Sequence, residues 1–395
     1  MASIKLKGDT SGEVIISAPS VAGNATLELQ ATSGTLATTA QASIGLKNLI
    51  INGNMQIAQR GTSFTGLTGI SYNLDRWETT AYTMTGGQYQ VNQSTDAPKG
   101  FAYSQKISCT TAHTQDVNNQ FYIQQQIEGV NSSQLNYFVA SPDTVTLSFW
   151  VKANLTGSYA CALKLSDNGS SENNTSTKVY NTTYSISSAN TWEKKTVTIV
   201  LDSAVGDVQV VDNRFAVSVQ WWLGAGTSRD GAAANSWINY GNVSTDADNL
   251  DLLGSTSNEW YITGVQLEAG TTATPFENLM YSQQLAMCHR YYQRFQGGVA
   301  FTSGIVGCYN ATTSVRALHN HIVPFRASPT FGYSALSHFD LEPFDAQPTS
   351  LSALTTGNLY QADVAAVDPT ARVRGYAATI TCDNSTGYFD FSAEL

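Results

Sequence analysis

Asp246, Asp248 and Asp251 place three carboxylates within six residues, in the run Asp-Ala-Asp-Asn-Leu-Asp. Carboxylate oxygens at that density suit Ca2+, a hard cation that takes roughly six to eight oxygen ligands. The run lacks the central glycine and the distal glutamate of an EF-hand loop, so a structural Ca2+ site of another kind and a solvated acidic turn are the alternatives. No other cofactor is implied. His319 and His321 share one face of an expected strand, where they could meet a metal if symmetry copies brought further imidazoles to one axis. No third ligand lies at a matching spacing, and two polar residues on a wet face is the competing reading. His338, Asp340 and Glu342 alternate in the same way and read as solvated strand residues.

Ring-bearing residues point to binding. Trp237 and Tyr240 lie in a run from Ser228 to Tyr240, where flat rings among Asn and Ser could stack on a sugar or anchor the loop. Trp221 and Trp222 end an expected strand, so one faces in and the other out. Trp222 joins Trp237 and Tyr240 as a candidate ligand-binding residue. For catalysis the signals are poor: G-x-S-x-G, H-E-x-x-H and a Gly-rich phosphate loop do not occur. Paired glycosidase carboxylates can be distant in sequence, but a loop separates Glu268 from Glu277, Glu268 reads as structural, and Asp75-Arg76-Trp77 reads as an ion pair beside a packed indole. No catalytic residue is assigned, and a non-enzymatic role is expected.

The elements that would hold these residues are strands. Charged residues make up 13% of the chain, about half the usual share, with Ser, Thr, Asn, Gln and Gly in their place. Short alternating runs with long polar loops argue for an all-β chain built on an antiparallel β-sandwich, or jelly roll. Expected strands include Phe101 to Ser108, Phe121 to Ile127, Val145 to Ala153, Thr196 to Asp202, Phe215 to Leu223 and Trp260 to Glu268. In the third, Val145, Leu147, Phe149 and Val151 should face inward. Trp260 to Glu268 has bulky apolar residues on both sides and reads as an inner strand, with Tyr261, Thr263, Val265 and Leu267 on one face. Leu49-Ile50-Ile51 and Met55 to Ile57 read as strands about an Asn52-Gly53-Asn54 turn. Pro275 suits the first turn of a short helix over Glu277 to His289, with Leu279, Met280, Gln283, Ala286 and Met287 as its stripe.

The length of 395 residues suits two or three domains. Residues 1–45 form an arm, 46–278 the jelly roll, and 279–395 a helix plus a smaller β-domain. The arm holds six large apolar side chains in pairs (Ile4 and Leu6, Val14 and Ile16, Leu27 and Leu29). At about 1.5–3 kcal/mol each, they cannot offset the ordering entropy of the segment. The arm is therefore expected to fold against copies of itself or on a larger assembly.

Several partners are disfavoured. Net charge is −10 and basic residues never cluster beyond Lys194-Lys195, so no footprint for a phosphate backbone exists and nucleic acid is not expected. No apolar run approaches the roughly 18 residues of a membrane helix, and no signal-peptide apolar region opens the sequence. Neither membrane insertion nor export through a signal peptide is expected. Cys109, Cys161, Cys288, Cys308 and Cys382 are scattered without a C-x-x-C pair and should be free thiols, mostly buried.

The pieces KNLIINGNMQIAQRG (47–61), DRWE (75–78), SFWVKA (148–153), YITGVQLEAGTTATPFE (261–277) and the following Cys288-His289-Arg290-Tyr291-Tyr292 resemble, in order, the pattern of tail-fibre and related receptor-binding proteins of tailed bacteriophages. The resemblance covers about residues 46–295. GDTSGEVIISAPSVAGNATLEL (8–29) is similar to virion-attachment arms of marine phage structural proteins. These resemblances imply a carbohydrate-binding-module-like jelly roll, a homotrimeric fibre, attachment to tail or capsid proteins of the virion through residues 1–45, and a distal domain that meets host cell-surface polysaccharide. They transfer no catalytic or receptor-contact residue. A head fibre or capsid decoration protein and a polysaccharide depolymerase are the alternatives.

Overall fold

The computed structural model describes residues 3–7, 13–17 and 46–395, except 115, 170–176, 205–206, 240–243, 245–249, 298–302, 355–357 and 383. The chain forms two compact units, Met1–Ile44 and Gly45–Leu395. In the first, β1 (Ser3–Lys7) and β2 (Glu13–Ser17) pair antiparallel, with Ile4 opposite Ile16 and Leu6 opposite Val14. Leu27 and Leu29 lie outside the described residues.

The second unit begins with a β-sandwich. Its strands are β3 (Ser63–Leu67), β4 (Ser71–Tyr72), β5 (Glu78–Tyr82), β6 (Gln88–Ser94), β7 (Ser104–Thr111), β8 (Gln120–Glu128), β9 (Thr144–Ala153), β10 (Gly157–Ser166), β11 (Thr177–Ile186), β12 (Glu193–Val200), β13 (Phe215–Ala225), β14 (Ser236–Asn239) and β15 (Glu259–Ala269). A seven-stranded sheet runs β14-β11-β10-β13-β8-β5-β4, and a six-stranded sheet runs β12-β9-β15-β7-β6-β3. All pairings are antiparallel, as the alternation predicts. Val145, Leu147, Phe149 and Val151 are buried in one core. From β9, the Phe149 ring meets Tyr184 of β11 and Trp221 of β13 edge-on across the gap between the sheets.

β15 is an inner strand, flanked by β9 and β7, but its faces are not those of simple alternation. Trp260 and Ile262 enter the core, and so do Val265 and Leu267. A bulge between Thr263 and Gln266 shifts the phase by one residue. Gly264 makes it possible: its φ is +62°, and a Cβ there would lie 2.6 Å from the Phe101 ring.

Residues 46–62 contain no strand, contrary to the expectation for Leu49 to Ile57. They form a buried irregular segment whose backbone groups are satisfied by amide side chains. Gln125 accepts from Ile51 N at 2.8 Å and donates to Ile51 O at 2.8 Å. Asn52 accepts from Ile57 N and donates to Ile57 O, both at 2.9 Å. Asn48 donates to Val265 O at 3.1 Å. A Cβ at Gly53 would fall 2.1 Å from Val265 O, so glycine lets this segment lie directly on β15.

After β15, Glu268 accepts from Thr274 N at 2.9 Å and Thr274 Oγ1 at 2.6 Å. Glu277 accepts from the backbone amides of Lys47 and Asn48, at 3.1 and 2.9 Å to one carboxylate oxygen. Both acids are structural. Because Glu277 is held in this way, helix α1 begins only at Tyr281 and ends at His289, and Pro275 stays outside it. The expected stripe is also corrected. Met280 is 74% exposed, while Gln284, Cys288 and His289 are buried.

The rest of the chain adds β16 (Tyr292–Gln296), β17 (Ser303–Ala311), β18 (Ser314–Asn320), β19 (Thr330–Tyr333), β20 (Phe339–Glu342), β21 (Ser350–Leu354), β22 (Gln361–Val367), β23 (Ala377–Cys382) and β24 (Tyr388–Ser392). They form a three-stranded sheet, β16-β24-β19, and a six-stranded sheet, β20-β23-β17-β18-β22-β21, around a second core. A third cluster, with Ile51, Ile57, Cys288 and Tyr291 at its centre and Leu395 against it, joins this module to the sandwich.

Candidate functional site

The outer face of the seven-stranded sheet carries an unusual set of side chains for a surface turned away from the core. Alternation sends Ile123, Ile127, Val219 and Trp221 inward and their even-numbered neighbours outward. Register aligns the outward residues in rows that cross the strands. One row runs Glu78, Gln124, Gln220, Ala162, Asn181 and Ser236. Beside it lie Gln126, Ser218, Lys164 and Val179. On its other side Tyr122 faces Trp222, their rings 4.9 Å apart, in a cluster with Ala160 and Ala225. Ala160 and Ala162 are short and buried between the taller amides and rings.

One part of this face is bonded within itself. Gln220 donates to Gln124 at 2.7 Å, Gln124 donates to Glu78 at 2.9 Å, and Thr80 donates to Glu78 at 2.7 Å. The other part is not. Both amide atoms of Asn181, the Ser218 hydroxyl and the Trp222 indole nitrogen are buried without a hydrogen-bond partner. Asn181 and Ser218 are 0% exposed and Trp222 is 2% exposed. Each such orphan costs about 1–3 kcal/mol unless water or a ligand supplies its partner. The grouping offers an acceptor and donors beside an aromatic pair, a chemistry matched to hydroxyl groups on an apolar ring.

The residues singled out from sequence fall in different places. Trp222 lies on this face. Trp237 does not: it sits opposite Tyr180, packs against the edge of the sandwich core, and donates from its indole to Val200 O at 2.9 Å. It anchors β14. Tyr240, Asp246 and Asp248 lie outside the described residues. Asp251 accepts from Leu253 N at 3.1 Å and sits 2.7 Å from His113 Nε2, so its oxygens have protein partners. Among the described residues no group of three or more His, Cys, Asp or Glu is placed to hold a metal. Asn181, Ser218, Gln124 and Gln220 were not singled out. The even-numbered amides in Phe121-Tyr122-Ile123-Gln124-Gln125-Gln126-Ile127 were a local signal for Gln124 alone.

A second buried polar region lies where the C-terminal module meets the sandwich. Arg76 is fully buried, pairs with Glu394, donates to Gln126 O and rests 3.5 Å from the centroid of the Tyr291 ring. Arg60 pairs with Glu394 at 3.1 Å and lies 3.5 Å from the Tyr292 ring centroid. Arg290 grips Glu128 with two bonds, at 2.9 and 2.8 Å. Arg326 donates to Ala393 O and Glu394 O, each at 2.6 Å. Burial opposes the charge of Arg76, but Glu394, Tyr291 and Tyr72 outweigh it and raise its pKa. The expected Asp75–Arg76 pair is replaced. Asp75 instead accepts from Gln59 N at 2.7 Å, and burial raises its carboxyl above the usual range. The indole of Trp77 donates to Asn52 O at 3.0 Å. Two carboxylates gripped by arginines make a structural lock.

No protein family matches the chain, and no curated protein matches it. Solved structures with a similar architecture include the enzymatically active domain of tailspike protein 4 from bacteriophage CBA120, at 11% identity and a TM-score of 0.28 over 56% of this chain. This chain spans 21% of that tailspike chain. A carbohydrate-binding module, TmCBM61, in complex with beta-1,4-galactotriose matches at 12% identity and a TM-score of 0.26, over 57% of this chain and 100% of the module. A putative sugar-binding protein from Bacteroides thetaiotaomicron matches at 12% identity and a TM-score of 0.33, over 57% of this chain and 100% of its own.

Proposed function

We propose that this chain is a non-enzymatic, glycan-binding adhesin of a bacteriophage fibre, and that the outer face of its seven-stranded sheet receives the sugar. The observation that carries the reading is the set of buried, unpartnered polar groups on Asn181, Ser218 and Trp222, on the same sheet face as the Tyr122 and Trp222 rings. Hydroxyl groups of a saccharide would supply the missing partners, and the rings would take its apolar face. In this reading residues 1–45 attach the chain to the virion, and three copies form the fibre, as the sequence resemblance implies. Weak individual sites then add through avidity.

The test is titration of the full chain with host surface polysaccharide and neutral oligosaccharides, following heat and intrinsic tryptophan fluorescence. Binding that shifts the fluorescence, and that weakens about tenfold in Asn181→Ala and Ser218→Ala, is the expected result. Because the face is nearly closed to solvent, association should be slower than the roughly 10^5–10^7 M⁻¹s⁻¹ of open sites. Binding unaffected by both substitutions would move the sugar site elsewhere. Release of reducing sugar during the titration would overturn the non-enzymatic assignment.

A further inference from the structure

His319 is the penultimate residue of β18 and His321 follows the strand, and both are half-buried. Both rings enter the aromatic packing between the three-stranded sheet and β18. His319 stacks on Phe391 at 5.3 Å, with Phe295 edge-on at 4.2 Å and Phe389 at 5.3 Å. His321 meets Phe325 at 4.7 Å and Phe391 at 4.8 Å. The two imidazoles are 5.6 Å apart. His319 Nε2 and both ring nitrogens of His321 are buried without a hydrogen-bond partner.

The charged groups on the surrounding elements are engaged elsewhere. Arg294 of β16 and Asp390 of β24 pair with each other at 2.9 Å, and Tyr292 donates to the same carboxylate. Arg294 also lies over the Tyr388 ring. Arg316 of β18 pairs with Asp363 of β22 at 2.7 Å. Arg326, next to Phe325, is held by the backbone oxygens of Asn213, Ala393 and Glu394. Among the described residues, no carboxylate stands ready to receive an imidazolium.

We infer that the C-terminal module is acid-operated: uptake of protons by His319 and His321 parts β18 from the three-stranded sheet. Two cations brought within the spacing of these rings would repel each other and would have to leave the phenylalanines for water. The direction follows from linkage. Burial lowers both imidazoles from their ordinary 6.5 to about 4, with His321 adding to the effect on His319. The closed form therefore holds its full stability above the ordinary imidazole range and loses it as the pH falls from there toward about 4. The opening constant should rise by up to about tenfold per pH unit for each imidazole, and about a hundredfold for the pair.

Hydrogen exchange of the full chain, corrected for intrinsic rate, reads this out near neutrality and at about pH 5. Residues 314–326 and 388–393 should lose protection on acidification, while 144–153 in β9 keep theirs. In the double variant His319→Phe, His321→Phe the acid-induced loss should disappear, because the packing is kept and the proton acceptors are gone. Undiminished protection of 314–326 in the unaltered chain at about pH 5 overturns the inference without any variant. The same loss in the double variant also overturns it and assigns the effect to the Asp363 and Asp390 carboxylates. His338, hydrogen-bonded to Ser334 Oγ at 2.9 Å, provides a control: His338→Gln should leave the acid response unchanged.

Discussion

At the junction of sandwich and C-terminal module, Glu394 and Glu128 are gripped by Arg60, Arg76 and Arg290. On the outer face of the seven-stranded sheet, Asn181, Ser218 and the Trp222 indole meet no protein partner. Both regions are buried and polar, yet they differ in where their partners come from. Burial of a charge is tolerable only with a partner in place, so the junction is closed within the chain. A neutral amide or hydroxyl costs far less to leave unpaired, which allows the sheet face to keep its capacity for something that arrives later. Polarity and burial alone therefore do not mark a site, and neither does one orphaned atom, since Arg60 Nη1 and Arg76 Nε at the junction are also buried without a hydrogen-bond partner.

Substitutions can break or sharpen this contrast. The largest effect is expected at the junction. Arg76→Met leaves the Glu394 carboxylate buried with less compensation and should cost about 3–5 kcal/mol, read as a fall in the urea midpoint at constant m-value. A loss below about 1 kcal/mol would put the junction in the same class as the sheet face. Next, Asn181→Ala should lower saccharide affinity about tenfold, equivalent to roughly 1.4 kcal/mol, while thermal stability stays within about 0.5 kcal/mol. A large stability loss there would mean that Asn181 is structural after all. Trp237→Phe should show the reverse, with about 1 kcal/mol lost from the bond to Val200 O and no change in affinity. The smallest effect concerns reactivity. Cys308 is exposed while Cys109, Cys161, Cys288 and Cys382 are buried. A thiol reagent should modify one group in the folded chain and the others only on unfolding, with no change in saccharide binding.

Much of the sandwich was legible because period-two alternation is a local property. Val145 to Val151 states its inward face in seven residues. Leu49 to Ile57 misled because its hydrophobicity belongs to burial and not to strand pairing; its hydrogen bonds come from Gln125, Asn48 and Asn52, and no window around residue 50 shows the first of these. Trp237 misled for a related reason. A tryptophan among Asn and Ser looks like a platform until its partner, Val200 on another strand, is known. His319 and His321 were placed on one strand face, but their surroundings come from Phe295, Phe325, Phe389 and Phe391, which no spacing rule connects to them. Asn181 and Ser218 lacked any signal of type, since their significance is the absence of a bond.

The bulge at Gly264 has a consequence for how β15 tolerates change in length. Upstream of it, even-numbered residues face the core, and downstream, odd-numbered ones do. The strand thus reads in two frames, and Gly264 is the extra letter that shifts from one to the other. Deleting that single glycine would remove the shift itself: two residues of β15 now stand against one of β9 between Thr263 and Gln266, and without the extra one the pairing would run unbroken with Val265 and Leu267 still facing the core. Replacing it by a larger residue would leave the frames intact but press on the Phe101 ring. Loss of this one residue should therefore spare the inward faces, whereas its exchange for a larger one forces a side chain into a left-handed backbone position against Phe101.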